Sequence, residues 1–252
     1  MFDRIKSLLG MATQSDEPSV DLFANDNKAT HGIELGHNLK IEYPILSLYD
    51  DLEFNLSEPT KKVTGISVSN DSGNKSFRAY TEDDCFLQFD FFGDDKVENL
   101  SQITIMQYQL DDGDEFLVYT PEELESFSES DFENGINDQL ARAEKWKQVI
   151  DFDKTFEFRG HTYHRFNDLT LGGIEVVELV DDEINAIDNN FSVFVREMSD
   201  DLNEVLFVNA EQGLVIDDQN EITERSNSMT VSISLGVTLT HSSITVNRYT
   251  GK

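Results

Sequence analysis

His161 and His164 stand three apart in Arg159-Gly160-His161-Thr162-Tyr163-His164-Arg165, a spacing that brings two imidazoles to one metal ion if the segment is a helix or a turn. On a strand an odd separation sends the two rings to opposite faces. A zinc site needs three or four ligands, and with five His and one Cys in 252 residues the others would have to be carboxylates. The segment reads better as a strand pair around the Arg159-Gly160 turn. Acids and Asn also gather at Asp83-Asp84, Asp94-Asp95, Asp111 to Glu115, Asp181 to Glu183 and Asp217 to Asn220. Calcium asks for six to eight oxygens, and none of these segments has the EF-hand order with Gly at the sixth and Glu at the twelfth loop position. Asp and Asn are turn formers, which accounts for them at loop tips.

Nucleophile elbows, zincin helices, phosphate-cradling Gly loops and dinucleotide turns do not occur in the chain. Gly172-Gly173 joins two strand-like runs and opens no helix, so it reads as a turn without the helix N-terminus that holds a phosphate. Cys85, the single cysteine, lies in Cys-Phe-Leu-Gln-Phe and reads as a small buried hydrophobe that fits a reducing compartment. The sequence therefore assigns no residue to a catalytic, cofactor-binding or metal site, and implies no cofactor.

The elements that would position any site are mostly strands. From residue 32 onward, short runs of period two alternate with turn residues about every ten positions, the signature of antiparallel sheet. The runs 63–68 and 76–81 flank Asn70 to Asn74 as a hairpin, and Phe86 to Phe92 carries Phe on both faces, as a central strand does. Residues 103–110 and 116–119 flank Asp111-Asp112-Gly113-Asp114, which predicts a second hairpin with Gly113 at a positive φ. Thr120-Pro121-Glu122-Glu123 is a helix start, and Ile136, Leu140, Ala143, Trp146 and Ile150 mark one apolar stripe of a second helix. Arg142, Lys145 and Lys147 lie off that stripe. Strands resume at 156–158, 163–166, 174–180, 191–196 and 204–208. Residues 230–240 then alternate Val231, Ile233, Leu235, Val237 and Leu239 against Thr, Ser and Gly236, and Ile244 and Val246 continue that dry face. The expected class is α+β: mainly antiparallel sheet, a sandwich or partly open barrel, with one or two helices mid-chain.

Residues 1–10 place Phe2, Ile5, Leu8 and Leu9 at helical spacing, residues 11–31 read as a flexible linker, and 32–252 as the globular region, with a sub-domain split near 120–152 as an option. No stretch has the length and hydropathy of a membrane span, and the N-terminus lacks the pattern of a signal peptide, so the expected location is the cytoplasm, with peripheral membrane contact through residues 1–10.

Charge narrows the partners. Fifty acids against nineteen bases give a net charge of −31, and from 97 to 141 there are 12 acids and no Lys or Arg. Such a surface repels nucleic acid and anionic lipid headgroups. Segments including Leu35-Gly36, Ser76-Phe-Arg-Ala-Tyr-Thr-Glu-Asp-Asp-Cys-Phe-Leu-Gln-Phe89, Phe158-Arg-Gly-His-Thr-Tyr-His-Arg165 and Ser234-Leu-Gly-Val-Thr-Leu239 resemble the YjfK-like family of bacterial proteins. The resemblance implies a cytoplasmic accessory or interaction role in envelope stress, with a membrane-associated coat protein as partner. It implies no reaction and no site residues. Two other readings stand beside it: an enzyme or small-molecule sensor whose site is assembled from scattered carboxylates, Tyr and His, and an acidic mimic of nucleic acid.

Overall fold

Alternation of apolar and polar residues builds the first half of the chain as a meander. In the computed structural model, which describes residues 30–247 apart from 57, 72–73, 93–96, 167–169, 181–182, 200–201 and 218–221, β1 (Asn38–Ile41) leads through a 3-10 turn to β2 (Thr60–Asp71). β3 (Asn74–Thr81), β4 (Cys85–Phe92) and β5 (Leu100–Tyr108) follow, each antiparallel to the strand before it. The expected helix at 1–10 and nearly all of the linker at 11–31 lie outside the described residues.

After β5 the chain does not turn back on itself. β6 (Asp114–Leu117) pairs with a strand near the C-terminus and not with β5, and Gly113 has φ −78°, so the predicted second hairpin with its positive φ is not formed. A physical reason is visible at the start of β6. Gly113 lies so close to the Val231 carbonyl that a Cβ there would sit 2.8 Å from it, and Asp114 is held by Trp146 Nε1 at 2.9 Å and Arg142 at 3.2 Å.

The helical segment begins with α1 (Pro121–Ser126), capped as the sequence predicts: Thr120 accepts from the Glu123 N–H, and the Glu123 carboxylate accepts from the Thr120 N–H. Replacing Thr120 with Ala removes one half of this reciprocal pair and is expected to cost about 1 kcal/mol, confined to this turn. Faster amide exchange at 121–126 with unchanged exchange in the strands is the measurement. α2 (Glu129–Asp131) runs through a π-helical turn, broken at Gly135, into α3 (Asn137–Asp151), whose buried side chains are Trp146, Val149 and Ile150.

β7 (Thr155–Phe158) and β8 (His161–Arg165) form a hairpin over Arg159 and Gly160, both at positive φ. β9 (Leu171–Leu179), β10 (Ile184–Ser199), β11 (Leu202–Ile216), β12 (Ile222–Arg225), β13 (Ser228–Leu239) and β14 (Ile244–Asn247) complete the chain. Gly172 and Gly173 lie inside β9 and make no turn. Gly172 passes so near the Asn189 carbonyl that a Cβ would meet it, so its role is close approach of two backbones.

The pairing returns on itself. Going round, β2 pairs with β3, then β4, β5, β13, β11, β10 and β9, and β9 pairs again with β2. One face of this ring packs Phe77, Leu87, Phe89, Ile105, Leu206, Val208, Ile233 and Leu235 into a single cluster with Leu39 and Phe54 from the preceding segment and Trp146 and Ile150 of α3. Each of these large side chains contributes about 1.5–3 kcal/mol by leaving water. The opposite face is concave. β4 and β11 are three strands apart, about 14 Å along the sheet, yet the Phe86 and Phe207 rings are 6.5 Å apart. Arg78 of β3 likewise lies 5.7 Å from the Phe191 ring of β10, again three strands away.

Candidate functional site

The residues that the sequence singles out for chemistry are scattered. His161 and His164 lie on β8, where the odd spacing sends them to opposite faces; His161 is half-buried and His164 exposed. Among the described residues no group of three or more His, Cys, Asp or Glu is placed to hold a metal ion. Cys85 is buried, and burial pushes its thiol up to about 12, far from a reactive thiolate. Arg142, Lys145 and Lys147 form no patch: Arg142 pairs with Asp114, Lys147 with Asp151, and the Lys145 ammonium sits 4.3 Å from the Trp146 ring centre.

The concave face of the ring is where titratable groups converge. Alternation along each strand sends Arg78 and Tyr80 of β3, Gln88 and Asp90 of β4, Glu175 of β9, Asn189 of β10 and Asn209 and Glu211 of β11 to this side. The Glu175 carboxylate, buried, accepts from Arg78 Nη1 at 2.5 Å, Tyr80 Oη at 2.6 Å, Asn189 Nδ2 at 3.0 Å and the Ser67 hydroxyl. Arg78 Nε donates to Gln88 at 2.8 Å, and Gln88 donates to Asp90, which also accepts from Ser76. On the other side Asn209 Nδ2 donates to Asn189 Oδ1 and to Glu211 Oε1, both at 2.8 Å, and Ser232 donates to the same Glu211 oxygen. One hydrogen-bonded chain thus runs round the ring from Asp90 to Glu211. It contains one cation, Arg78, and three carboxyl groups. Aromatic rings line it: the guanidinium lies 5.5 Å from the Phe86 ring centre and 5.7 Å from that of Phe191, and Phe191 stacks on Phe207.

Burial raises the Asp90 carboxyl above its ordinary value despite the bonds from Ser76 and Gln88, and raises Glu211 despite Ser232, with the Glu175 charge adding to the effect. Burial also raises the Tyr80 and Tyr108 phenols, so both stay protonated as donors. A carboxyl raised in the fold binds its proton more tightly there than in the unfolded chain. The stability it contributes is complete below the unfolded values of 3.8 for Asp and 4.5 for Glu, and is lost as pH rises through the higher folded values. His31, lowered by burial and by the neighbouring His241, acts in the opposite direction. The urea midpoint of Asp90→Asn and Glu211→Gln relative to the parent should therefore improve as pH rises from about 3.5, below or near the unfolded values, to about 8. A constant difference across that range would refute the assignment.

A second buried carboxylate clamps the preceding segment to the sheet. Glu204 accepts from Tyr163 Oη at 2.6 Å, Arg196 Nη2 at 2.6 Å and the Phe54 N–H at 2.7 Å. Arg196 Nη1 lies 2.7 Å from His161 Nδ1, and because a guanidinium only donates, the neutral imidazole carries its proton on Nε2, facing Glu53 at 3.2 Å. Burial and the bond to Glu204 raise the Tyr163 phenol. These residues hold residues 51–54 in place, and in the sequence they stand out only as single polar residues in apolar strands.

No curated protein and no solved structure matches the chain. A family model described as "Protein of unknown function (DUF2491)" matches residues 5–245, which takes in every described strand but the last residues of β14. The chain belongs to that family.

Proposed function

We propose that this protein works by binding, as a cytoplasmic interaction or accessory protein associated with bacterial envelope stress, close to the inner membrane. The observation that carries the reading is the segment from α1 to the π-helical turn, where Glu122, Glu125, Glu129 and Glu133 are all exposed in a stretch of chain without a single Lys or Arg. Leu124 is buried beneath α1, and Phe127 meets Tyr119 and Phe132 edge-on at 5.4 and 6.3 Å, so the acids are presented on an anchored support. The complementary partner is a protein with a basic face. The buried carboxylates fit this reading as well. Glu175 and Glu204 each accept several hydrogen bonds from side chains or backbone of the fold, which makes them fastenings of the structure. The finer YjfK-like naming, a barrel-like form for the ring and a tether at residues 1–10 belong to the same proposal.

The test is co-purification from the native host with the Glu122→Gln, Glu125→Gln, Glu129→Gln, Glu133→Gln variant. Loss of a salt-sensitive partner is expected, and an unchanged partner set would sink the proposal. Co-sedimentation with membranes, unaltered by deleting residues 1–10, would remove the tether.

A second reading has its own observation. The ring interior gathers carboxylates and Tyr residues into one cluster, as a small-molecule sensor requires, and the Oδ1 of Asn209 is buried there without a hydrogen-bond partner among the described residues.

A further inference from the structure

The orientation of Asn209 is fixed by its neighbours. Glu175 accepts from Asn189 Nδ2, so Asn189 presents its Oδ1 to Asn209. Asn209 must answer with its Nδ2, which it also gives to Glu211 Oε1. Its own Oδ1 is thereby left as an acceptor with no donor, in a residue only 8% exposed. An unfilled buried acceptor of this kind calls for a donor. Glu211 lies two residues further along β11, on the same face and half-exposed, and both bonds it receives from Asn209 and Ser232 fall on Oε1. Phe207, two residues the other way, supplies an apolar wall with Phe191, the ring centres 5.5 Å apart. The charge balance points the same way: three carboxyl groups share one guanidinium, and that guanidinium is already engaged with Glu175 and Gln88.

We infer that the Glu211 end of the ring interior is a binding site for a small organic cation with N–H donors, a primary alkylammonium group, held between Asn209 Oδ1 and the Glu211 carboxylate with its carbon chain against Phe207. The inference rests on reading the ring interior as a small-molecule site and adds the chemical class. An ammonium donates three hydrogen bonds, which suits two acceptors of different charge and excludes an anion or a neutral acceptor. Access runs from Glu211, Ser232 and Tyr108, which are partly exposed, towards Asn209, which is not.

The test uses the full chain and thermal shift with calorimetric titration at constant ionic strength. The probes are n-butylammonium, tetramethylammonium, sodium, n-butanol and n-butyrate. Saturable binding of n-butylammonium, at least tenfold tighter than tetramethylammonium or sodium and weakened at least tenfold by Glu211→Gln, is expected. Glu211→Gln keeps an oxygen for Asn209 and Ser232, and the parent protein's preference for butylammonium over tetramethylammonium decides the question even if that variant misfolds. Equal response to the two ammonium ions overturns the inference. Glu211-dependent binding of butanol or butyrate without butylammonium overturns the cation class and leaves the interior site standing, whereas no response to any probe overturns the class and the site together.

Discussion

Replacing Arg78 with Met is expected to lower the stability of the protein by about 3–5 kcal/mol, because it leaves Glu175 buried without its cation. Arg78 is 6% and Glu175 2% exposed, so water cannot take over for either. The usual remedy of converting a buried pair to apolar residues fails here. Ser67, Tyr80 and Asn189 all donate to Glu175, and a Leu in its place would strand three donors at about 1–3 kcal/mol each. Glu175→Gln keeps an acceptor for some of them but leaves Arg78 charged between Phe86 and Phe191. The double variant, Arg78→Met with Glu175→Gln, should therefore lose less than the sum of the two single changes. Urea denaturation of the four proteins measures the coupling. Additive losses, or a loss below 1 kcal/mol for Arg78→Met, would show that the pair does not hold the ring interior.

The same residues explain where the sequence is readable and where it is not. Period-two alternation in Phe77-Arg78-Ala79-Tyr80 and in Val231 to Leu239 locates the strands and the dry face, because the large apolar cluster needs every second side chain. It does not distinguish a second face open to water from one turned to the inside of a ring. Arg78, Glu175, Asn189 and Asn209 look like solvent-facing residues in single strands; only the closure of β9 on both β2 and β10 buries them together. Local turn chemistry was a better guide where the turn is short. Arg159-Gly160 and the Thr120 cap are as expected, since each is decided within four residues. Gly113 and Gly172 mislead because their reason is a carbonyl far away in sequence, on Val231 and Asn189. No residue of the candidate site was legible: the expectation of scattered carboxylates, Tyr and His names no position, the cluster described contains no His, and its members span β3 to β11 so that their meeting depends on the ring.

Gly236 tests that closure directly, and its replacement by Ala is expected to cost about 3 kcal/mol or more. It lies in β13 opposite Val205 of β11 and Met106 of β5, at the seam where the first half of the sheet joins the second. A Cβ there would overlap the carbonyl oxygen of Ile105 and the sulfur of Met106. The sulfur ends a pliable side chain and can swing away. The carbonyl cannot, because it belongs to β5, whose pairing with β13 runs from Ser234↔Tyr108 to Leu239↔Ile103. Accommodating one methyl group therefore means parting the two strands, and the ladder that closes the ring weakens with it. Gly213→Ala is the control: a Cβ there would find only the Ser226 Cβ, at an ordinary 3.8 Å, so its effect should stay within about 0.5 kcal/mol. Thermal unfolding of both variants, with amide exchange in β5 as the local readout, separates a general cost of losing glycine from the loss of this one contact. A Gly236→Ala protein as stable as Gly213→Ala would mean that β5 and β13 approach less closely than the ring requires.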